Sequence, residues 1–192
     1  IHAVGSRIQI KHRMKLNAET YGKTSLEFLK TGNWIDLNFR SRYIKVAQEL
    51  INIAVTTLEK TQYQSIHGDC HLGNLIWNQE GPCFLDFDDC VSGPPVQDLW
   101  LLIPGRDEAS VQMQNQLLEA YESMMKLDRS SLKLIEPLRA LRLIHYSAWI
   151  AKRWSDPAFK SMFNDFEFPS YWEEETKALE EILNCIQGGQ HQ

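Results

Sequence analysis

The sequence predicts an α+β chain, mainly helical, with one small antiparallel β-hairpin, and three observations carry that expectation. Leu75-Ile76-Trp77 and Cys83-Phe84-Leu85 are short apolar runs separated by Asn78-Gln79-Glu80-Gly81-Pro82, a cluster of turn formers. Long stretches on either side carry apolar residues at steps of three and four, the spacing of amphipathic helices. At 192 residues and 43% hydrophobic, the chain can bury one sizeable core, so one domain is expected.

The helices follow in order. From Asn38 to Lys60, the residues Phe39, Tyr43, Val46, Ala47, Leu50, Ile53, Ala54 and Leu58 form one apolar stripe. Ser110 to Leu127 repeats the pattern through Met113, Leu117, Leu118, Tyr121, Met124 and Met125, and these methionines are expected to fill the core. A third helix runs from about Pro137 to Trp154, with Pro137 in its first turn. Its stripe of Leu138, Leu141, His145, Ala148 and Trp149 makes His145 a hydrogen-bonded core residue rather than a ligand. Ser170 and Glu173 have the spacing of a capping box at the start of the last helix, and Gly188-Gly189 closes it before a frayed Gln190-His191-Gln192 end.

Charge and composition exclude several function classes. A formal charge of −5 without a Lys/Arg-rich run argues against nucleic acid as the main partner. No run of about eighteen apolar residues exists, and Ile1-His2-Ala3-Val4-Gly5-Ser6-Arg7 lacks the apolar core of a signal peptide. A cytoplasmic monomer with no membrane segment is expected. Cys70, Cys83, Cys90 and Cys185 show no Cys-x-x-Cys spacing, which suits reduced thiols.

The chemistry concentrates around the hairpin. If Leu75 pairs with Leu85, Asn74 and Asp86 face each other at its open end, with Cα atoms roughly 4.5–5.5 Å apart. An amide oxygen and a carboxylate can then converge on one hard cation, the kind of oxygen set that Mg²⁺ takes together with nucleotide phosphates. Asp69, on the loop entering the hairpin, is placed to accept a proton from an attacking hydroxyl. The spacing Asp-x-x-x-x-Asn is that of a kinase catalytic loop. His67 and His71 flank Asp69; they are expected to brace the loop rather than ligate metal, since a zinc site needs three or four protein ligands. Cys70 is expected to be a small buried hydrophobe. Arg153-Trp154 suits either a substrate cleft or ordinary stacking.

These residues carry a family resemblance. His67-Gly68-Asp69-x-His71-x-x-Asn74, then Leu85-Asp86-Phe87-Asp88 and Gln97-Asp98-Leu99-Trp100, resembles the aminoglycoside phosphotransferase and choline kinase family. The longer string through Gly93-Pro94-Pro95-Val96 and Trp154-Ser155-Asp156-Pro157-Ala158-Phe159 is similar to its bacterial stress-response kinases, a group understood to phosphorylate Ser/Thr on proteins. The resemblance implies a protein-kinase-like fold, ATP as co-substrate and Mg²⁺. It also implies Asp69 as catalytic base, Asn74 as metal ligand, and Asp86 as metal ligand and second active-site carboxylate. Asp98, by the same resemblance, accepts hydrogen bonds from the catalytic-loop backbone. The acceptor is then a protein Ser/Thr hydroxyl or, alternatively, a small alcohol such as an aminoglycoside, choline or a sugar.

The chain starts at Ile, and Gly5, Gly22 and Gly32 are isolated, so no Gly-rich loop or strand-borne Lys lies upstream of the motif. In kinases those elements clamp the nucleotide. Residues 1–192 are therefore expected to be the C-terminal, catalytic-loop lobe of a longer protein, without its nucleotide lobe and inactive alone. Two other readings stay open. A metallophosphoesterase could use Gly68-Asp69-Cys70-His71 but would need an upstream Asp-x-His and a downstream Gly-Asn-His, which do not occur. A non-enzymatic binding module has no physical need for three convergent oxygen ligands.

Overall fold

The computed structural model describes residues 1–8 and 10–189, so the last three residues, expected to fray, lie outside the described residues. In chain order the elements are α1 (His2–Gly5), a π-helical turn (Ala18–Lys23) leading into α2 (Thr24–Thr31), α3 (Arg40–Leu58), β1 (Gln64–Ile66), β2 (Leu75–Asn78), β3 (Gly81–Phe84), β4 (Val91–Gly93), α4 (Val96–Leu102), α5 (Glu108–Met124), α6 (Ile135–Lys152), α7 (Pro157–Met162) and α8 (Pro169–Gly189). They form two compact units, one joining Ile1–Leu16 to Lys60–Ile135, the other joining Asn17–Glu59 to the chain from Glu136 onward.

In the first unit, β1 and β4 pair antiparallel, Gln64 opposite Gly93, Ser65 opposite Ser92 and Ile66 opposite Val91. Ser92 also bonds the segment before Asn17, donating to the Met14 carbonyl and accepting from Leu16 N–H. Because Ile66 and Val91 pair, everything from 67 to 90 is one excursion closed at its base. α1 is built onto β1: a Cβ on Gly5 would collide with the Ser65 carbonyl, and Gln64 Nε2 donates to the His2 carbonyl at 3.3 Å. α4 is buried through Val96–Leu101, which holds even its polar residues in place. Asp107 caps α5, accepting from Ser110 N–H at 3.0 Å.

The hairpin β2–β3 forms, in a register shifted by one from expectation. Leu75 lies opposite Phe84, not Leu85, and Asn78 lies opposite Gly81, leaving a two-residue turn of Gln79-Glu80. Gly81 takes φ +116°, a conformation open to glycine, and so shortens the five-residue turn expected. Leu85 N–H donates to the Asn74 carbonyl at 2.8 Å. The alternation of an antiparallel ladder then puts Trp77 and Pro82 in a non-hydrogen-bonded pair, where proline's missing N–H costs nothing.

α5 corrects another expectation. It buries Ser110 and Leu118, whereas Met113 is exposed and Met124 is 82% exposed, so these two are not core filling. Glu108–Met124 turns only a narrow stripe inward, and both methionines fall outside it.

The second unit is helical. α3 buries Tyr43, Val46, Ala47, Leu50, Ile51, Ala54 and Leu58, packing on α8 through Trp172, Leu179 and Ile182. Tyr43 meets Trp172 edge to face at 5.4 Å. Each of the larger aliphatic side chains here, Val46, Leu50, Ile51, Leu58, Leu179 and Ile182, contributes roughly 1.5–3 kcal/mol by leaving water. Asn17 starts the π-helical turn by accepting from Glu19 and Thr20 N–H. α6 includes Pro137 in its first turn as expected. His145 bonds the Ser25 hydroxyl at 3.1 Å and stacks on Tyr21 at 4.0 Å, a packed structural residue. Arg153 lies 4.4 Å over the Trp149 ring, while Trp154 is buried against Phe166. The capping box expected from Ser170 and Glu173 does not take that form. α8 begins at Pro169, so Ser170 lies within its first turn, and Glu173 instead pairs with Lys177 one turn on, at 2.6 Å.

Candidate active site

The loop leaving β1 is gripped from α4. The Asp98 carboxylate, 3% exposed, accepts His67 N–H on one oxygen and Gly68 N–H on the other, each at 2.8 Å. Gln97 Nε2 donates to the Gly68 carbonyl at 3.4 Å, and Trp100 Nε1 donates to Gln97 Oε1 at 3.1 Å. This is the backbone-holding role expected of Asp98. Gly68 has φ +87°, and a Cβ there would lie 2.5 Å from the Asp89 carbonyl. Glycine is needed at this turn for conformation and for room.

The two histidines brace the same loop. His67 is fully buried. Its Nδ1 accepts from Asp69 N–H at 3.3 Å, so Nε2 carries the proton and donates to the Leu85 carbonyl at 2.8 Å. One imidazole thus ties Asp69 to the residue before Asp86. The Nδ1 of His71 accepts from Gly73 N–H at 3.0 Å, which leaves Nε2–H facing the Asp69 carboxylate at 3.3 Å. Both rings are occupied in holding backbone and carboxylate, as their bracing roles require.

Asn74 points its amide nitrogen at Asp69, donating to the main-chain carbonyl at 3.0 Å and to Oδ2 at 3.3 Å. Its Oδ1 is left as an acceptor. Asp86 lies two residues beyond the end of β3, not directly opposite Asn74 as the expected register had it; Leu85 occupies that place. Asp86 is exposed and left-handed, φ 58° and ψ 67°, an uncommon conformation that Asp tolerates better than most residues. Among the described residues no three His, Cys, Asp or Glu side chains form a metal-like cluster. An amide oxygen and an exposed carboxylate are still donors of the kind Mg²⁺ takes, since it is commonly held by one or two carboxylates with waters and phosphates rather than by an all-protein cage.

The hairpin face that carries Asn74 also carries Ile76 and, across the strand, Cys83 and Leu85, all exposed except Asn74 itself. Opposed residues share a face, so an open apolar surface adjoins Asn74 and Asp86. Cys70 is buried, and burial first, then the Asp98 and Asp69 charges, push its thiol up to about 12. It stays protonated at neutral pH. The Asp88 carbonyl accepts from Arg13 at 2.5 Å, and the Asp89 carbonyl packs on Gly68. Sequence reasoning missed His2, Arg13 and the β1–β4 closure. His2 Nε2 meets Asp98 Oδ2 at 2.9 Å across 96 residues, a separation no local pattern signals.

Residues 12–135 match the phosphotransferase enzyme family. The chain is 36% identical over 190 residues to stress response kinase A of Escherichia coli (strain K12), covering 97% of this chain and 57% of that protein. It is 35% identical over 189 residues, with the same coverage, to the serine/threonine protein kinase RdoA of Salmonella typhimurium (strain LT2). The chain thus spans a little over half the length of the curated relatives it matches. Among solved structures it resembles an amicoumacin kinase in complex with AMP-PNP and Ca²⁺, with TM-score 0.60 and 20% identity over 92% of this chain and 55% of that one. It also resembles a spectinomycin phosphotransferase in complex with ADP, with TM-score 0.53 and 17% identity over 94% of this chain and 60% of that one. These two likenesses concern the fold, which is that of the protein-kinase-like antibiotic kinases, mainly helical with small antiparallel sheets. With the family match covering more than half of the chain and 36% identity to a kinase relative over 97% of it, the chain belongs to the phosphotransferase enzyme family.

Proposed function

We propose that this chain carries the catalytic loop of an ATP- and Mg²⁺-dependent kinase of the stress-response type, which transfers the γ-phosphoryl group of ATP to Ser/Thr hydroxyls of proteins. The observation that carries the reading is the Asn74 amide bonded to both oxygen-bearing groups of Asp69, with Asp86 just past the residue opposite Asn74. Asp69 orients the acceptor hydroxyl and takes its proton, held by His71 and Asn74. Asn74 Oδ1 and Asp86 hold Mg²⁺, whose charge offsets that of the phosphates during transfer. The apolar face of Ile76 and Leu85 offers a surface for the nucleotide base. The identity with kinases named for stress response and for serine/threonine specificity supports a protein acceptor.

A second acceptor class is favoured by the fold comparison, since the two structural relatives are kinases of small antibiotics. The test uses the full-length protein with Mg²⁺ and γ-labelled ATP, given either a general protein substrate or a panel of small alcohols, beside its Asp69→Asn variant. Label on protein Ser/Thr that vanishes in the variant supports the protein kinase; label confined to a small alcohol moves the assignment to a metabolite or antibiotic kinase. Absence of label from every acceptor overturns both.

A further inference from the structure

Asp98 is held by more than the loop it grips. Oδ2, already accepting His67 N–H, also meets Nε2 of His2 at 2.9 Å. The imidazole is buried, and its Nδ1 meets the Tyr121 hydroxyl at 2.9 Å, with the two rings edge to face at 5.6 Å. Burial, then the Asp98 charge, raises the Tyr121 pKa, so this group remains a neutral hydroxyl. The main chain of His2 is fixed as well, by Gln64 Nε2 on its carbonyl and by the close seat of Gly5 on β1.

These contacts form one path: Tyr121 on α5, His2 on α1, Asp98 on α4, the N–H groups of His67 and Gly68, and then Asp69. A carboxylate with a single side-chain donor can rotate about its last torsion. With His2 on one edge and two loop amides across both oxygens, the Asp98 plane is set, and so is the turn at Gly68 that aims Asp69. We infer that His2 is a positioning residue for the catalytic loop, acting through Asp98 and itself oriented by Tyr121. The inference rests on the phosphotransferase reading for its effect on turnover but not for its effect on the loop.

The test compares His2→Ala, His2→Gln and Tyr121→Phe in the full-length protein, with two readouts. One is the split of kcat from KM for ATP; the other is hydrogen exchange at the His67 and Gly68 amides, which needs no activity. Gln places an amide nitrogen near the position of Nε2 and retains the bond to Asp98. His2→Ala is expected to lower kcat roughly 10- to 100-fold, the scale of a slightly misplaced catalytic group, with KM for ATP changed less than about twofold. The same variant speeds exchange at both amides, whereas His2→Gln restores both properties most of the way and Tyr121→Phe is intermediate. Unchanged exchange and kcat in His2→Ala would overturn the inference. So would equal losses of kcat and thermal stability in the Ala and Gln variants, the mark of a merely structural residue. Faster exchange in His2→Ala of a protein whose parent transfers no phosphate would support the His2–Asp98 hold while overturning the phosphotransferase reading.

Discussion

The Asn74 side chain donates to Asp69 twice, at 3.0 Å to its carbonyl and at 3.3 Å to its carboxylate. The residue read as metal ligand therefore also shapes the residue read as base. Asn74→Ala is expected to weaken both roles, raising the Mg²⁺ concentration for half-maximal rate and lowering kcat at saturating Mg²⁺. Asn74→Asp should do worse than Ala on kcat, since it sets a second carboxylate against Asp69. Mg²⁺ titrations of initial rate in the full-length variants check both outcomes.

Asp69→Asn is expected to leave nucleotide binding intact and to cut transfer by ~10²–10⁴-fold, the usual worth of a general base. Asp86→Asn should instead lose Mg²⁺-dependent nucleotide binding, because Asn tolerates the left-handed backbone at φ 58° yet lacks the charge. Calorimetric titration with an ATP analogue, with and without Mg²⁺, separates the two. Equal binding loss in both variants would refute the division of roles.

Gly68→Ala combines a positive φ with a Cβ lying 2.5 Å from the Asp89 carbonyl. It should destabilise the fold by roughly 1–3 kcal/mol and lower activity further than that loss explains. Gly188→Ala, where a Cβ meets nothing within 4 Å and α8 continues, should be neutral or slightly stabilising. Thermal melts of the pair give the comparison.

The four free cysteines should react in an order set by environment. Cys83 and Cys185 are exposed and should alkylate first at pH 7.5, while Cys70, buried and pushed up to about 12, should resist until the protein unfolds. Site-resolved mass spectrometry over a time course reads this directly. Early labelling of Cys70 would contradict its environment.

Two groups in the helical unit should give opposed pH dependences. Burial chiefly, with Glu174 adding and a Ser147 hydrogen bond subtracting, raises Glu175 from 4.5 to about 7. The folded state then binds the extra proton, so this contribution to stability falls as pH rises from about 4.5 to 7 and stays low above. Burial chiefly, then the charges of Lys152, Arg142 and Arg153, lowers His145 from 6.5 to about 4. There the unfolded chain binds the extra proton, so stability rises with pH from about 4 to 6.5 and then levels. Glu175→Gln should therefore stabilise more at pH 7.5 than at pH 4.5, and it should leave the rising limb due to His145 uncovered. Denaturation midpoints across that range check the sign.

What the sequence determined by itself was local. The turn formers between two apolar runs specified a hairpin, three-and-four periodicity specified α3 and α6, and the order His67, Asp69, Asn74, Asp86, Asp98 named the candidate site. Each of these depends on residues a few positions apart, where chain stiffness and side-chain periodicity act directly. Tertiary structure decided the rest. Gly81 at φ +116° shortened the turn and shifted the register by one, moving Asp86 past the ladder and placing Leu85 opposite Asn74. Pairing of Ile66 with Val91 closed the base of the site, and His2 reached Asp98 from 96 residues away. The apolar stripe of α5 was legible as a helix, yet Met113 and Met124 ended in solvent because periodicity says which residues could face a core and not how wide that core is. Such contacts join segments distant in sequence, and their partners are set only once the whole chain has packed.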